Sequence, residues 1–360
     1  MPAGLAVRRA REDRARLTAA LGEFCEPHLV AAVPKPIALS IVLTRGRGLP
    51  ISIDRHALAA VRAEVERLVS DRPLDVVHAE QLQALSQCAP ARRRAVPVVL
   101  RAQNVESDLW SGLATSWPWL RGLARRESAR LARYEGRAVR EVAAAVALTE
   151  RDAERLRSLS GRQDGIHHVP APFPDRLPPV EARLDGRPAV VVLAGDWLPN
   201  RDGAAWFCKE VWPEVRAQCP RAVLHLFGLV RGVRPAPALV VHEAPLDSRE
   251  AFPPGAILAV PLRIASGVRM KILEAWARGV PVVATTKAVA GLDARDGEEL
   301  LIADDPREFA AAIGRLQADQ AFARACGEAG RARLRAHHDP ARIARRLAGI
   351  YAEVARGVGR

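Results

Sequence analysis

The sequence predicts an α/β fold of two domains, each built on a parallel sheet. Three observations carry that prediction. Short apolar runs alternate with amphipathic helical stretches along the whole chain, as parallel α/β domains require. The 360 residues suit two domains, at roughly 100–200 residues each. Between the halves, Val169-Pro170-Ala171-Pro172-Phe173-Pro174 and then Pro178-Pro179 place five prolines within eleven residues. Such a stretch continues neither a helix nor a central strand, so it reads as a stiff linker. The expected division is an N-terminal domain at 1–170, a linker at 171–187 and a second domain at 188–338. A closing helix at 339–360 is expected to pack back toward the first domain.

In the first half the strand candidates are His28–Val33, Asp75–Ala79, Val96–Arg101 and Val142–Leu148. Leu58, Val61, Val65 and Leu68 recur at three- and four-residue spacing, which predicts a helix over Asp54–Ser70. Asp54 is its expected N-cap, and Asp71-Arg72-Pro73 ends it. Beyond the linker the strand candidates are Ala189–Ala194, Ala222–Phe227, Leu239–His242, Ala256–Val260 and Val280–Thr285. The last third reads as helices over Pro306–Gln317, Ala321–His337 and Pro340–Val358. No internal repeat is visible.

With 49% hydrophobic and 26% charged residues, the chain is globular rather than a disordered tail. Its formal charge is +13, yet only Lys35, Lys209, Lys271 and Lys287 among the 54 basic residues are lysines. An arginine bias of this size, beside so much alanine, looks like GC-rich coding. The charge therefore argues weakly for nucleic acid, for which no motif stands, and better for an anionic membrane surface or a phosphorylated ligand. No apolar run approaches the roughly 18 residues that span a bilayer. No apolar signal segment follows Arg8, Arg9 and Arg11. Cys25, Cys88, Cys208, Cys219 and Cys326 form no C-x-x-C pair, which predicts free thiols and no metal site. The chain is expected in the cytoplasm.

The most informative segment runs from Gly255 to Thr285 and reads strand, loop, helix, strand. The helix is expected to start near Ser266-Gly267 and to stop at Gly279. Met270, Leu273 and Ala277 share one face, suited to packing on a sheet. Gly267, Lys271, Glu274 and Arg278 form another stripe, at spacings of four, three and four. Two readings fit that stripe. It is a solvated face, or it is a ligand site: helix N–H groups and a cation for a diphosphate, then a carboxylate for paired sugar hydroxyls.

The run Pro261–Thr285, with Glu274-Ala275, Gly279-Val280-Pro281-Val282-Val283 and Gly291-Leu292, resembles the donor-binding signature of family 4 retaining glycosyltransferases of GT-B fold. It is most similar to their exopolysaccharide-associated branch. Further pieces match in order: Asp75-Val76-Val77-His78, Asn104-Val105-Glu106-Ser107, Arg133-Tyr134-Glu135, Thr149-Glu150-Arg151-Asp152 and Gly195-Asp196-Trp197-Leu198-Pro199-Asn200. The resemblance implies two Rossmann-like domains facing a cleft. It implies a metal-independent hexosyltransferase with no cofactor, whose co-substrate is a nucleoside diphosphate sugar. The implied acceptor is lipid-linked or a polysaccharide, met at the inner face of the cytoplasmic membrane. The Arg-rich stretch Arg121–Arg140 is then either a peripheral docking face for anionic lipid or a solvated basic face.

By the same resemblance, Glu274 would bind the donor's ribose hydroxyls. Lys271 and the Ser266-Gly267 turn would meet the diphosphate, with Arg263 or Arg269. Gly195, Asp196 and Asn200 would line the donor cleft, Asp196 alternatively only steadying its loop. Gln103 would lie across the cleft near the reacting sugar and count, with Lys271 and Glu274, among the catalytic groups. His78, Asn104 and Glu106 would stand on the acceptor side, Glu106 alternatively only capping a helix. Three departures matter. Ser266 replaces the first of two glutamates that many relatives carry, and Gln103 stands where relatives often have histidine. Relatives also open with a strand and a Gly-rich loop, where this chain has only Met1–Asp13. The N-terminal domain is thus expected to be incomplete. Two other functions share the architecture: a nucleotide-sugar 2-epimerase, needing no acceptor, and a non-catalytic partner subunit.

Overall fold

The structure, a computed structural model, describes residues 14–47, 49–178, 180, 183–195, 197–228, 236–245 and 248–357. It begins with a helix over 14–22 (α1) and the helices Ile37–Arg47 (α2), Ile51–Arg55 (α3) and Ala59–Asp71 (α4). Then come Val77–Glu80 (β1), Ala89–Arg93 (α5), Val98–Ala102 (β2), Glu106–Ser116 (α6), Arg121–Glu141 (α7), Ala144–Ala147 (β3), Glu150–Ser160 (α8) and Ile166–His168 (β4). The four strands form a parallel sheet in chain order, with β1 at one edge. One face of it, with Leu100, Ala102, Ala145 and Ala147, packs with Leu131, Val139 and Leu156 of α7 and α8.

The second half carries Ala189–Leu193 (β5), Leu198–Trp206 (α9), Trp212–Gln218 (α10), Val223–Phe227 (β6), Leu239–His242 (β7) and Ala256–Val260 (β8). It continues with Met270–Arg278 (α11), Val282–Ala284 (β9), Thr286–Val289 (α12), Leu301–Ile302 (β10), Pro306–Ala318 (α13), Gln320–His337 (α14) and Pro340–Gly357 (α15). Its six parallel strands run in the order β10-β9-β8-β5-β6-β7. Both faces are covered, one by Trp276 of α11 and Leu334 of α14, the other by Phe207, Trp212 and Phe309. Because successive strands step to opposite sides of β5, the order reverses between β5 and β8. In an open α/β sheet, ligands gather at that reversal, beyond the strands' carboxyl ends.

α15 crosses to the first sheet. Its Ile343 and Ile350, backed by Leu347 and Val354, cover Val99, Ala144 and Val146, the face α7 and α8 leave open. The spacing of these residues is that of one helix face. The Pro-rich stretch runs along the second domain: Phe173 N–H donates to the His338 carbonyl at 2.9 Å, and Leu177 N–H to that of Ala277 at 3.3 Å.

Several local expectations are corrected. His28–Val33 is irregular backbone outside both sheets. Pro27, Pro34 and Pro36 bracket it and remove donors that a ladder needs. Asp54 is no N-cap: it lies in α3, 2% exposed, with Lys35 Nζ 3.0 Å from its Oδ1. α4 begins only at Ala59, behind Leu58, with no side-chain cap. The strands β4 and β10 escaped the sequence reading because three and two residues are too short to show a period. Met1–Asp13, on which the missing-strand expectation rests, lies outside the described residues.

Candidate functional site

The site is built from the switch point outward. Lys271, in the first turn of α11, reaches the end of β5: Nζ donates to the Leu193 carbonyl at 2.7 Å and to Asn200 Oδ1 at 3.3 Å. Burial, followed by the nearby Arg269 charge, pulls its pKa down to about 8. Gly195 follows β5 beside Asn200, the ideal Cβ position of Gly195 falling 3.6 Å from Asn200 Nδ2. Asp196 lies outside the described residues.

α11 starts four residues later than expected, at Met270, and no side chain caps it. Met270 is 45% exposed; the buried face is Ile272, Leu273, Ala275, Trp276 and Ala277. Ser266 and Gly267 form instead a turn that docks on the first domain. Val105 N–H donates to Ser266 Oγ at 3.1 Å. Gly267 holds φ +73°, and a Cβ there would sit 2.1 Å from the Gln103 carbonyl oxygen. Only glycine therefore lets this turn approach so closely.

Arg269, just before α11, is buried, and among the described residues its guanidinium makes no hydrogen bond or ion pair. Burial lowers its pKa to about 10, against the pull of the Asp152 charge across the domain boundary. Arg263 is committed elsewhere: its Nε and Nη2 form a fork on Asp202 of α9 at 3.0 and 2.8 Å. Asp202 also accepts from Trp117 Nε1 at 3.3 Å. Glu274 accepts from Ser248 Oγ at 2.6 Å and from Arg278 Nε and Nη2 at 3.0 and 2.9 Å. The stripe Lys271–Glu274–Arg278 is thus a hydrogen-bonded row rather than a solvated face.

On the first domain, Gln103 Nε2 donates to Glu80 Oε1 at 2.8 Å, and Gln81 Nε2 to Gln103 Oε1 at 2.9 Å. Burial raises the Glu80 pKa, but hydrogen bonds with His78 and Gln103 and the Arg101 charge outweigh it, leaving the carboxyl at about 2. His78 faces α15, its Nδ1 2.9 Å from the Tyr351 hydroxyl, and its Nε2 lies 2.9 Å from Glu80, which links it to Gln103. Asn104 packs on Gly267. Glu106 does not cap α6. Glu135 of α7 does, its two oxygens accepting from the Glu106 and Ser107 N–H groups at 2.7 and 3.2 Å. Burial raises the Glu106 pKa. It raises that of Glu135 to about 7, against the hydrogen bonds the carboxylate accepts.

A cavity of about 310 Å³ lies beside the Ser266–Gly267 turn, between α6 and the start of α8 on one side and Arg263, Lys287 and Gly291 on the other. Gly291, at φ +87°, sits so close to Thr149 that a Cβ would come within 2.4 Å of its methyl. The sequence reading gave no role to Glu80, Asp202, Glu135, Asp152, Arg151 or Lys287. Glu135, Arg151 and Asp152 did lie in matched motifs; the fork of Asp202 on Arg263 joins residues 61 apart and left no local signal.

The fold and this cleft define a class: the GT-B architecture of two Rossmann-like domains facing one another. Sucrose-phosphate synthase from Thermosynechococcus elongatus superposes with a TM-score of 0.66 at 18% identity, over 82% of this chain and 77% of that one. HepE from Anabaena, in complex with UDP-glucose, gives 0.61 at 15%, over 82% of each chain. A UDP-forming trehalose-phosphate synthase from Burkholderia xenovorans gives 0.58 at 11%, over 82% and 78%. Within that class, residues 188–319 match the family model described as glycosyl transferases group 1. No curated protein matches the sequence.

Proposed function

We propose that the chain is a retaining glycosyltransferase of family 4, in the exopolysaccharide-associated branch. It moves a hexosyl group from a nucleoside diphosphate sugar to a hydroxyl of a lipid-linked or polysaccharide acceptor. The carrying observation is the pair of desolvated cations Lys271 and Arg269 at the start of α11, beside the switch point of a domain matching glycosyl transferases group 1. Negative charge grows on the diphosphate as its bond to the anomeric carbon breaks and the electron pair departs with it. Preorganised cations and a helix N-terminus stabilise that charge best where water is excluded, so no metal is needed. The acceptor oxygen bonds to the anomeric carbon on the same face, and its proton leaves with the diphosphate. Glu274, one helical turn from Lys271, takes the ribose hydroxyls. Gln103, steadied by Glu80 and Gln81, faces the sugar.

Peripheral membrane contact has its own support. Trp119 is 76% exposed, ahead of the exposed Arg121, Arg125 and Arg126 at the start of α7. That is an aromatic anchor beside cations, suited to an anionic lipid surface in the cytoplasm.

The test is thermal unfolding with UDP, GDP, ADP and CMP; UDP comes first because HepE was solved with UDP-glucose. A nucleotide at a hundredfold its dissociation constant stabilises the fold by about 2.7 kcal/mol. Lys271→Met should abolish the shift, and Glu274→Gln should weaken it while keeping contacts to Ser248 and Arg278. A cooperative transition that no nucleotide moves overturns the donor site and leaves a non-catalytic subunit. Donor turnover without any acceptor points to an epimerase.

A further inference from the structure

A row of side chains links α15, the helix that follows the second domain, to Gln103 in the first. The Tyr351 hydroxyl lies 2.9 Å from His78 Nδ1, and His78 Nε2 lies 2.9 Å from Glu80 Oε2. The other Glu80 oxygen accepts from Gln103 Nε2 at 2.8 Å, and Gln103 Oε1 accepts from Gln81 Nε2 at 2.9 Å. One charge sets the direction of every bond in the row. Glu80 is ionised, its carboxyl standing at about 2, so it only accepts. In a neutral His78, Nε2 therefore carries the ring proton, and Nδ1 keeps a lone pair for the Tyr351 O–H. Gln103 turns its NH2 group to Glu80, because its carbonyl there would face a carboxylate. Among the described residues, one N–H and one lone pair of that amide are then left over. Side by side they match a sugar hydroxyl, which donates one hydrogen bond and accepts another.

Part of the row meets water, since the His78 and Glu80 side chains are 30% and 39% exposed. Such a row holds its geometry only if both ends are anchored, and they are. Glu80 closes β1 in register with Arg101 of β2, whose Nη1 lies 3.3 Å from Glu80 Oε2. Tyr351 packs on the first sheet with Leu347 and Val354, and its ring meets His78 edge-on at 5.8 Å and 85°. We infer that Tyr351 is a positioning residue, which acts through His78 and Glu80 to fix the way the Gln103 amide faces. The last helix of the chain thus sets a polar group in the cleft of the first domain. That this amide meets the donor's sugar rests on the transferase reading; the row itself does not.

Nitrogen-15 spectra of the full chain at about pH 8, where an ordinary imidazole is neutral, read the His78 tautomer and the Gln103 side-chain amide. Release of UDP from UDP-glucose, with water as acceptor, reads kcat and KM. His78 should carry its proton on Nε2. Tyr351→Phe keeps the ring and its packing, so it should shift the Gln103 amide resonances and lower kcat about fivefold at unchanged KM. His78→Ala should do the same, and the two substitutions together should cost no more than either alone, because they act in series. A proton on His78 Nδ1 overturns the inference. So does a Gln103 amide that Tyr351→Phe leaves in place, or losses that add. A moved amide with unchanged kcat keeps the row and takes Gln103 away from the sugar. A moved amide in a chain that releases no UDP keeps the row and counts against the transferase reading.

Discussion

The two sides of the Ser266–Gly267 turn handle charge in opposite ways. On the switch-point side, Lys271 is held by Leu193 and Asn200, and Glu274 by Ser248 and Arg278. On the cavity side Arg263 is held by Asp202, but the exposed side chains of Arg151 and Lys287 make no hydrogen bond or ion pair among the described residues. Arg269 is the exception on the first side, buried opposite Asp152. A held charge is aimed before the ligand arrives, and its removal strands a partner. An unheld charge adds little to stability and keeps its full pull for a ligand. Substitutions at the held charges should therefore weaken folding, and those at the unheld ones should leave it unchanged.

The largest expected effect comes from the turn between them. Gly267→Val puts a branched carbon against the Gln103 carbonyl at a positive φ, so it should cost about 3 kcal/mol and push the two docking segments apart. Urea unfolding measures it, and a loss below about 0.5 kcal/mol would show that the turn yields freely. Arg263→Ala leaves Asp202, 7% exposed, without its fork. About 2 kcal/mol is expected, held down by the exposure of Arg263 itself.

Next come two pH effects of opposite origin. The folded Glu135 pKa of about 7 lies above the ordinary 4.5, so the folded state holds the extra proton between them. Stability should fall as pH rises through that window, and Glu135→Gln should flatten the slope; a flat wild-type profile refutes it. Lys271, drawn down to about 8, loses its charge as pH rises past that value, so UDP affinity should drop between pH 7 and 9. An affinity constant over that range would remove Lys271 from the diphosphate. The smallest effect sharpens the comparison most: for the exposed Lys287, Lys287→Gln should change urea unfolding by less than about 0.5 kcal/mol.

What was legible in the sequence follows the range of the interactions. β5, β6, β8 and β9 could be read because each is a short apolar run bounded by turns and largely buried on both faces. His28–Val33 shows the limit of that signal, since an apolar run flanked by prolines carries hydrophobicity without a ladder to join. The shared stripe of Lys271, Glu274 and Arg278 was readable because helix geometry fixes neighbours three and four apart. The start of α11 was not: Ser266 could cap a helix or bond to Val105, and only the tertiary contact decides. The α6 cap was invisible for the same reason, as Glu135 arrives from 29 residues downstream. Local geometry was legible, and pairings made by folding were not.

The crossing of α15 has a consequence for the order in which the molecule consolidates. Val99, Ala144 and Val146 belong to the first sheet, yet the side chains that dry them are Ile343 and Ile350. A growing chain therefore reaches the end of its first domain with one sheet face wet, and that face stays so through synthesis of the whole second domain. Although domains tend to be settled in the order they emerge, here the earlier one is sealed last. Its wet valines and alanines are a surface that folding factors, or a neighbouring nascent chain, can find before α15 does.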